Sequence, residues 1–214
     1  MVERVAWVDA AAGASGDLLL GALVDAGVPI GVMAEAIEKV AVGELHEERL
    51  QRRGVAATCC RVEVEDIADQ RSWREIEALL AGAGLHEDVR SLAHDVFARL
   101  AEEEGRVQGV SAEDVHFRDV GSPQAITEVV GVCAGVVHLR ARRLGVSPGP
   151  AALELSTPIG SALLTTLADD WGPQPEMTVA TEGVGVGPPD LEGQLLRLAV
   201  GTSDPGRHES LGEG

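Results

Sequence analysis

Apolar residues along the chain switch between the two-residue period of strands and the helical period, and the switches outline most of the fold. The opening RVAWVDA is short and β-branched, which predicts a buried strand over Val5–Val8 ending at Asp9. A run of Ala, Gly and Ser follows. From Asp17, the positions Leu18, Leu19, Ala22, Leu23 and Val24 predict a buried helix that Gly27 closes. Pro29 opens a second helix with Val32, Ile37 and Val40 inward. Two extended stretches, 43–52 and 56–65, divided at Gly54, predict a hairpin; in its second arm Val62 and Val64 face one way while Glu63 and Glu65 face water. Helical spacing returns over 72–82 and 86–107, where Val89, Leu92, Ala93, Val96, Phe97 and Leu100 share a face.

Ser111 is a cap for the short turn SAEDVHF, and a long helix follows over 123–143. The Gly and Pro cluster GVSPGPAA marks an internal junction near 145–152. Thr157, Pro158 and Gly172 then punctuate a helix as cap, first helical residue and stop. Two short strands, MTVATEGVGVG and GQLLRLAVG, complete the pattern, and loss of periodicity predicts a disordered tail over 202–214. The expectation is an α+β fold in one main domain over 1–201, a small mixed sheet with helices packed against it.

Composition narrows the function. The 214 residues carry 17 Lys and Arg against 35 Asp and Glu, a formal charge of -18, which repels nucleic-acid phosphates and anionic lipid. Aromatic residues make up 2% and Tyr is absent, so base-stacking platforms are not expected either. A cation or a basic partner suits such a chain better. Three cysteines, two of them adjacent, without a CxxC knuckle or a signal-like start, predict a reducing, cytoplasmic setting. Cys59 and Cys60 are strand neighbours, so their side chains point to opposite faces. Apolar runs break well before the roughly 18 residues of a membrane span.

The chemistry concentrates in VDAAAGASGDLLLGALVDAG, residues 8–27. A strand, a Gly-rich turn and a helix bring backbone N–H groups to an anion. The turn lacks the Lys and Ser/Thr of a phosphate-binding P-loop and the spacing of a dinucleotide fold. Two readings stand: Ser15 or Asp17 caps the helix while the small residues permit close packing, or Asp9 and Asp17 flank a ligand together with a divalent cation. GVGVG at 183–187 raises the same choice between a ligand cradle and a glycine-rich strand end.

These stretches resemble the LarC-type nickel insertion proteins. WVDAAAGASGDLLLGALVDAGVP resembles that family's opening signature, RRGVAATCCRVEVE its central hairpin, VHFRDVG its VHFHEVG, and STPIGSALLTTLADDWGPQPEM its TPTGAA segment, in the same order. The resemblance implies a cytoplasmic metallochelatase, a lyase-type activity inserting Ni(II) into a pyridinium bis-thiocarboxylate mononucleotide, with carbon–nickel and sulfur–nickel bonds formed and CTP hydrolysed in the presence of Mg or Mn. It implies Asp9, Gly13, Ser15, Gly16 and Asp17 as the cofactor-binding set, with backbone N–H groups of Gly13 to Gly16 on a phosphate, and His116, Asp119 and Glu128 as metal ligands.

The sequence also departs from the family's pattern. The His-rich insertion after the hairpin is replaced by DIADQRSWREI. Arg118 stands where the family has a second His, Gln124 where it has an Asp, and Ala125 where it has a Ser; Arg offers no lone pair to a metal. Between LRARRLGV and ELSTPIG only SPGPAAL stands in for a segment of several tens of residues. The family's C-terminal domain, associated with CTP and oligomer contacts, has no counterpart after LLRLAVG, so a separate subunit is one expected partner and a homo-oligomer another. These departures support a rival reading, a catalytically degenerate member that binds metal or cofactor or docks on a partner.

Overall fold

The computed structural model describes residues 2–204 except 42, 53, 65–69, 119, 148–152 and 189–193. Strand β1 (Glu3–Asp9) leads through the Gly-rich turn into helix α1 (Gly16–Asp25), and α2 (Ile30–Glu38) follows. The hairpin is β2 (Gly43–Arg52) with β3 (Val55–Val64). Helices α3 (Trp73–Gly82), α4 (Glu87–Gln108) and α5 (Pro123–Leu139) come next, with a 3-10 turn over Ala112–Asp114. Strand β4 (Arg143–Val146), helix α6 (Pro158–Leu167) and strands β5 (Asp170–Trp171), β6 (Thr178–Val186) and β7 (Leu195–Ser203) complete the domain.

The strands form one seven-stranded sheet, in the order β2-β3-β6-β7-β1-β4-β5. Strand β1 is central, antiparallel to β7 over seven register pairs and parallel to β4. The sheet is therefore mixed, as expected, and the fold is a single-domain α+β arrangement. Its main core joins Ala6 and Val8 of β1 and Leu196, Leu198 and Val200 of β7 to the apolar faces of the helices. Alternation puts Cys60 and Val62 toward that core. Cys59 turns to the opposite face, with Ala57, Val184 and Val186.

Local chemistry explains where the elements stop. Helix α1 ends in a Schellman motif: Gly27, at φ +99°, donates to Val24 O at 2.9 Å, and Val28 donates to Leu23 O at 3.0 Å. Ser72 and Glu75 form a reciprocal capping box on α3. Thr157 accepts from Gly160 N at 3.0 Å to cap α6, and Pro158 is its first residue, as the sequence predicts. That helix stops at Leu167, not at Gly172, because Asp170 and Trp171 are drawn into the sheet beside β4. Ser111 is the N-cap residue of the 3-10 turn, its carbonyl accepting from Asp114 N at 3.0 Å, but its side chain caps no backbone N–H; the hydroxyl donates to Asp114 Oδ2 at 2.8 Å. Helix α5 ends at Leu139 rather than 143, and Arg143–Val146 pairs with β1 as a strand the periodicity does not reveal. Strand β7 runs through Ser203, two residues into the expected tail. The proposed junction lies largely, and the rest of that tail from 205 entirely, outside the described residues.

Glycines set the spacing between α1 and the sheet. A Cβ on Gly185 would sit 1.8 Å from Leu18 O, and one on Gly183 would sit 2.2 Å from Ala22 O. The GVGVG stretch is thus filled by helix backbone, not by a ligand. Asp25 locks the same junction, accepting from Thr58 Oγ1 at 2.9 Å in β3 and from Val184 N at 2.8 Å in β6. Among the described residues no helix is long and apolar enough to cross a membrane.

Candidate functional site

Strand β1 ends at Asp9, whose carboxylate accepts from Ala11 N at 3.2 Å in a local turn. Gly13 donates to Ala10 O at 2.8 Å and holds φ +94°; a Cβ there would lie 2.3 Å from Leu155 O, so glycine is required twice over. Ala10 N reaches Ser147 Oγ at 3.0 Å, Ala14 N reaches Ser156 Oγ at 2.8 Å, and Thr157 N closes on Ala14 O at 2.9 Å. The segment 155–157 therefore clamps the turn. Gly160 completes the clamp, since a Cβ there would meet Ala14 O at 2.0 Å.

This accounting changes the expected use of the backbone. The amides of Gly13 and Ala14 are already bonded within the protein. Helix geometry leaves those of Gly16, Asp17 and Leu18 without intrahelical acceptors, because the first such bond in α1 is Leu19 N to Ser15 O, at 3.1 Å. Ser15 is the N-cap residue, yet its side chain makes no cap hydrogen bond; the hydroxyl instead donates to Asp17 Oδ1. This helix end thus brings main-chain N–H groups beside the half-buried Asp17 carboxylate, with the positive end of the helix dipole behind both.

Helix α5 supplies the opposite wall. Glu128 approaches Gly16 so closely that a Cβ on residue 16 would lie 2.5 Å from its Oε2 and 2.8 Å from its Cβ. Gln124, one turn earlier, donates from Nε2 to Glu128 Oε1 at 3.1 Å. Burial pushes the Glu128 carboxyl up to about 7; the Gln124 hydrogen bond opposes that rise and the negative charge of Asp17 adds to it. The structure thus brings Asp17 and Glu128, two of the residues singled out in the sequence, to the same helix end.

His116 lies against Ser72, the residue that caps α3. It is exposed, its backbone bridges Ser72, its carbonyl accepts from Gln108 Nε2 at 3.1 Å, and its charge acts on Glu75. Asp119 lies outside the described residues. Among the described residues, no three His, Cys, Asp or Glu side chains come together closely enough to hold a metal ion. The acid that faces Glu128 is Asp17 of α1. Burial also pushes the thiols up, Cys60 to about 12, which keeps it protonated and inert at neutral pH.

Sequence reasoning did not anticipate Ser147, Ser156 or the Gln124–Glu128 bond. The last has a signal in the four-residue spacing of two long polar side chains on an otherwise apolar helix. The two serines lie far along the chain from the turn they hold and carry no local pattern.

The class the fold defines is a single-domain α+β arrangement in which β1 runs through a Gly-rich turn into a helix with acids around its start. The family of nickel insertion proteins matches residues 6–153 and 142–212, and the chain belongs to that family. It is 48% identical over 233 residues to the pyridinium-3,5-bisthiocarboxylic acid mononucleotide nickel insertion protein of a Nocardioides species, covering 92% of this chain and 59% of that protein. It is 36% identical to a protein of Syntrophobacter fumaroxidans provisionally named for nickel insertion, covering 95% of this chain and 62% of the relative. The chain thus spans about three fifths of the length of these relatives. No solved structure matches it significantly.

Proposed function

We propose that the chain is a nickel-insertion module of the nickel-pincer cofactor type, acting in the cytoplasm on a pyridinium bis-thiocarboxylate mononucleotide. The observation that carries this reading is the start of α1, where amides without intrahelical acceptors, Asp17 and Glu128 come together. In this reading the amides of Gly16 to Leu18 take the mononucleotide phosphate. Ser15 orients Asp17, and Asp9 shapes the turn. Nickel is cargo whose lasting ligands are the substrate's own sulfurs, and His116 with Asp119 are proposed to meet the incoming ion. CTP with Mg or Mn is the proposed co-substrate, and a further subunit is a proposed partner. Self-association is tested by the mass of the chain in solution.

The test is a single-turnover assay with nickel, CTP and the substrate, run with and without the remaining region of the Nocardioides relative. Nickel transfer by the wild type, lost in Asp17→Ala together with substrate binding, supports the reading; unchanged substrate binding in Asp17→Ala removes this helix end from the site. Equilibrium dialysis against Ni(II) treats His116→Ala in the same way.

A rival reading, a degenerate member that binds cofactor or a partner without making metal–carbon bonds, is favoured by Arg118 and by Gln124 at positions where the family has a His and an Asp. Transfer of nickel by this chain alone rejects it.

A further inference from the structure

We propose that the free edge of strand β2 is a self-association surface: a second copy of the chain lays its own β2 antiparallel against this one, about a two-fold axis at Glu48. The inference goes beyond the nickel-insertion reading and needs no ligand or metal.

The sheet leaves two edges, and they are unequal. Strand β5, at one end of the order, has two residues; β2, at the other, has ten. One side of β2 is zipped to β3, from Gly43 opposite Val64 to Arg52 opposite Val55. Its other side has no strand neighbour among the described residues, and such an edge presents N–H and C=O groups that only water or an added strand can satisfy. Glu44, His46, Glu47, Glu48, Arg49 and Gln51 are all exposed there. A run of charges on an edge repels most strands, which is how natural sheets avoid indiscriminate pairing. A strand that docks here must therefore bring the matching charges.

The charges of β2 match those of β2 itself. Its first half carries Glu44, Glu47 and Glu48, and its second carries Arg49 and Arg52. An antiparallel copy places the acidic half against the basic half. With the axis at Glu48, Glu47 stands opposite Arg49 of the second copy and Glu44 opposite Arg52, and each pair recurs by symmetry. An axis one residue to either side makes neither pair, so charge also selects the register. Side-chain alternation agrees: Glu47 and Arg49 share the face of Leu45, which packs on the main core, while Glu44 and Arg52 share that of Leu50, which packs on the smaller cluster. Strand β3 does not use up these charges, since it sets Cys60 beside Glu47, Thr58 beside Arg49, Val55 beside Arg52 and the like-charged Glu63 beside Glu44. Arg52 rests on the main-chain oxygens of Gly187 and Pro188, at 3.5 and 3.4 Å, which leaves its charge unneutralised. The like pair is Glu48 with its own copy; Arg61 Nη2 lies 3.9 Å from its Oε2 and tempers the repulsion. The chain's charge of -18 opposes association at long range, but physiological salt screens that beyond about 8 Å.

Sedimentation equilibrium of the chain at micromolar concentration and physiological salt should show a monomer and a dimer in exchange. Glu44→Arg with Glu47→Arg turns the opposite pairs into like ones and should weaken the dimer about 10-fold or more. Adding Arg49→Glu and Arg52→Glu reverses the whole strand and should restore the dimer, a recovery that neither misfolding nor a different surface would give. Glu48→Gln, which removes the like pair, should tighten it. Glu48→Cys should cross-link two chains through one disulfide on mild oxidation, while Gln51→Cys, away from the axis, should not; Cys59, Cys60 and Cys133 are buried and add no background. A chain that stays monomeric, a dimer whose mass ignores the charge reversals, or equal cross-linking at the two positions overturns the proposal. None of these readouts involves nickel, so the insertion reading and this one stand or fall separately.

Discussion

Two glycine-rich stretches, the turn over 13–16 and the strand over 183–187, look alike in the sequence and serve different ends in the fold. In the strand, Gly183 and Gly185 are filled by the backbone of α1, and the junction is closed by Asp25. In the turn, Gly13 is covered by Leu155, but Gly16 faces a carboxylate, and the helix amides beside it lack intrahelical acceptors. What separates them is the neighbour rather than the glycine. A backbone neighbour seals the gap into core, whereas a long acidic side chain leaves a polar lining.

The largest effect that would break this comparison belongs to the sealed stretch. Gly185→Ala drives a methyl into a carbonyl that cannot swing aside, and should cost about 3 kcal/mol or more in urea unfolding. A loss under about 1 kcal/mol would show that the α1 contact is pliable.

The next effect sharpens the polar side. A carboxyl raised from its ordinary 4.5 to about 7 binds more protons folded than unfolded between those values, so its contribution to stability falls as pH climbs through that window. Glu128→Gln should therefore stabilise the protein at pH 8 by up to about 3 kcal/mol and have little effect near pH 3, where Glu128 is protonated in both states. Thermal melts at the two pH values check the sign; equal shifts at both would mean that the carboxyl is not destabilised by burial.

The smallest effect is a control. Gly31, in α2, has nothing within 4 Å of where a Cβ would lie. Gly31→Ala should stabilise by about 0.5 kcal/mol through helix propensity alone, a rise of roughly 1–2 °C in the melting midpoint.

Most of the fold is legible in the sequence because its elements carry strong local signals. The hairpin alternates, α4 has a clean apolar face, and Pro29, Thr157 and Pro158 mark helix starts by their own chemistry. Strands β4 and β5 escape because they are short and exist only where β1 recruits them. The site was half legible. Asp17 and Glu128 stand out as acids in apolar surroundings, but the bonds that take the turn's amides come from Ser147 and Ser156, more than a hundred residues away. Nothing local announces such partners.

The Asp25 bonds have one more consequence. Strand β3 meets β6 at a single register pair, Thr58 with Gly185, whereas β1 and β7 are zipped along their whole length. Along the ladder the β2–β3 arm is joined to the sheet at that narrow seam, beside the Asp25 bonds, and is otherwise held by packing of Cys60 and Val62 into the core, so it should open at a lower free energy than the β1–β7 pair. Deuterium should enter the amides of β3 through this partial opening well before it reaches β1, and Asp25→Asn should hasten the entry into the arm while leaving the central strands as slow as before.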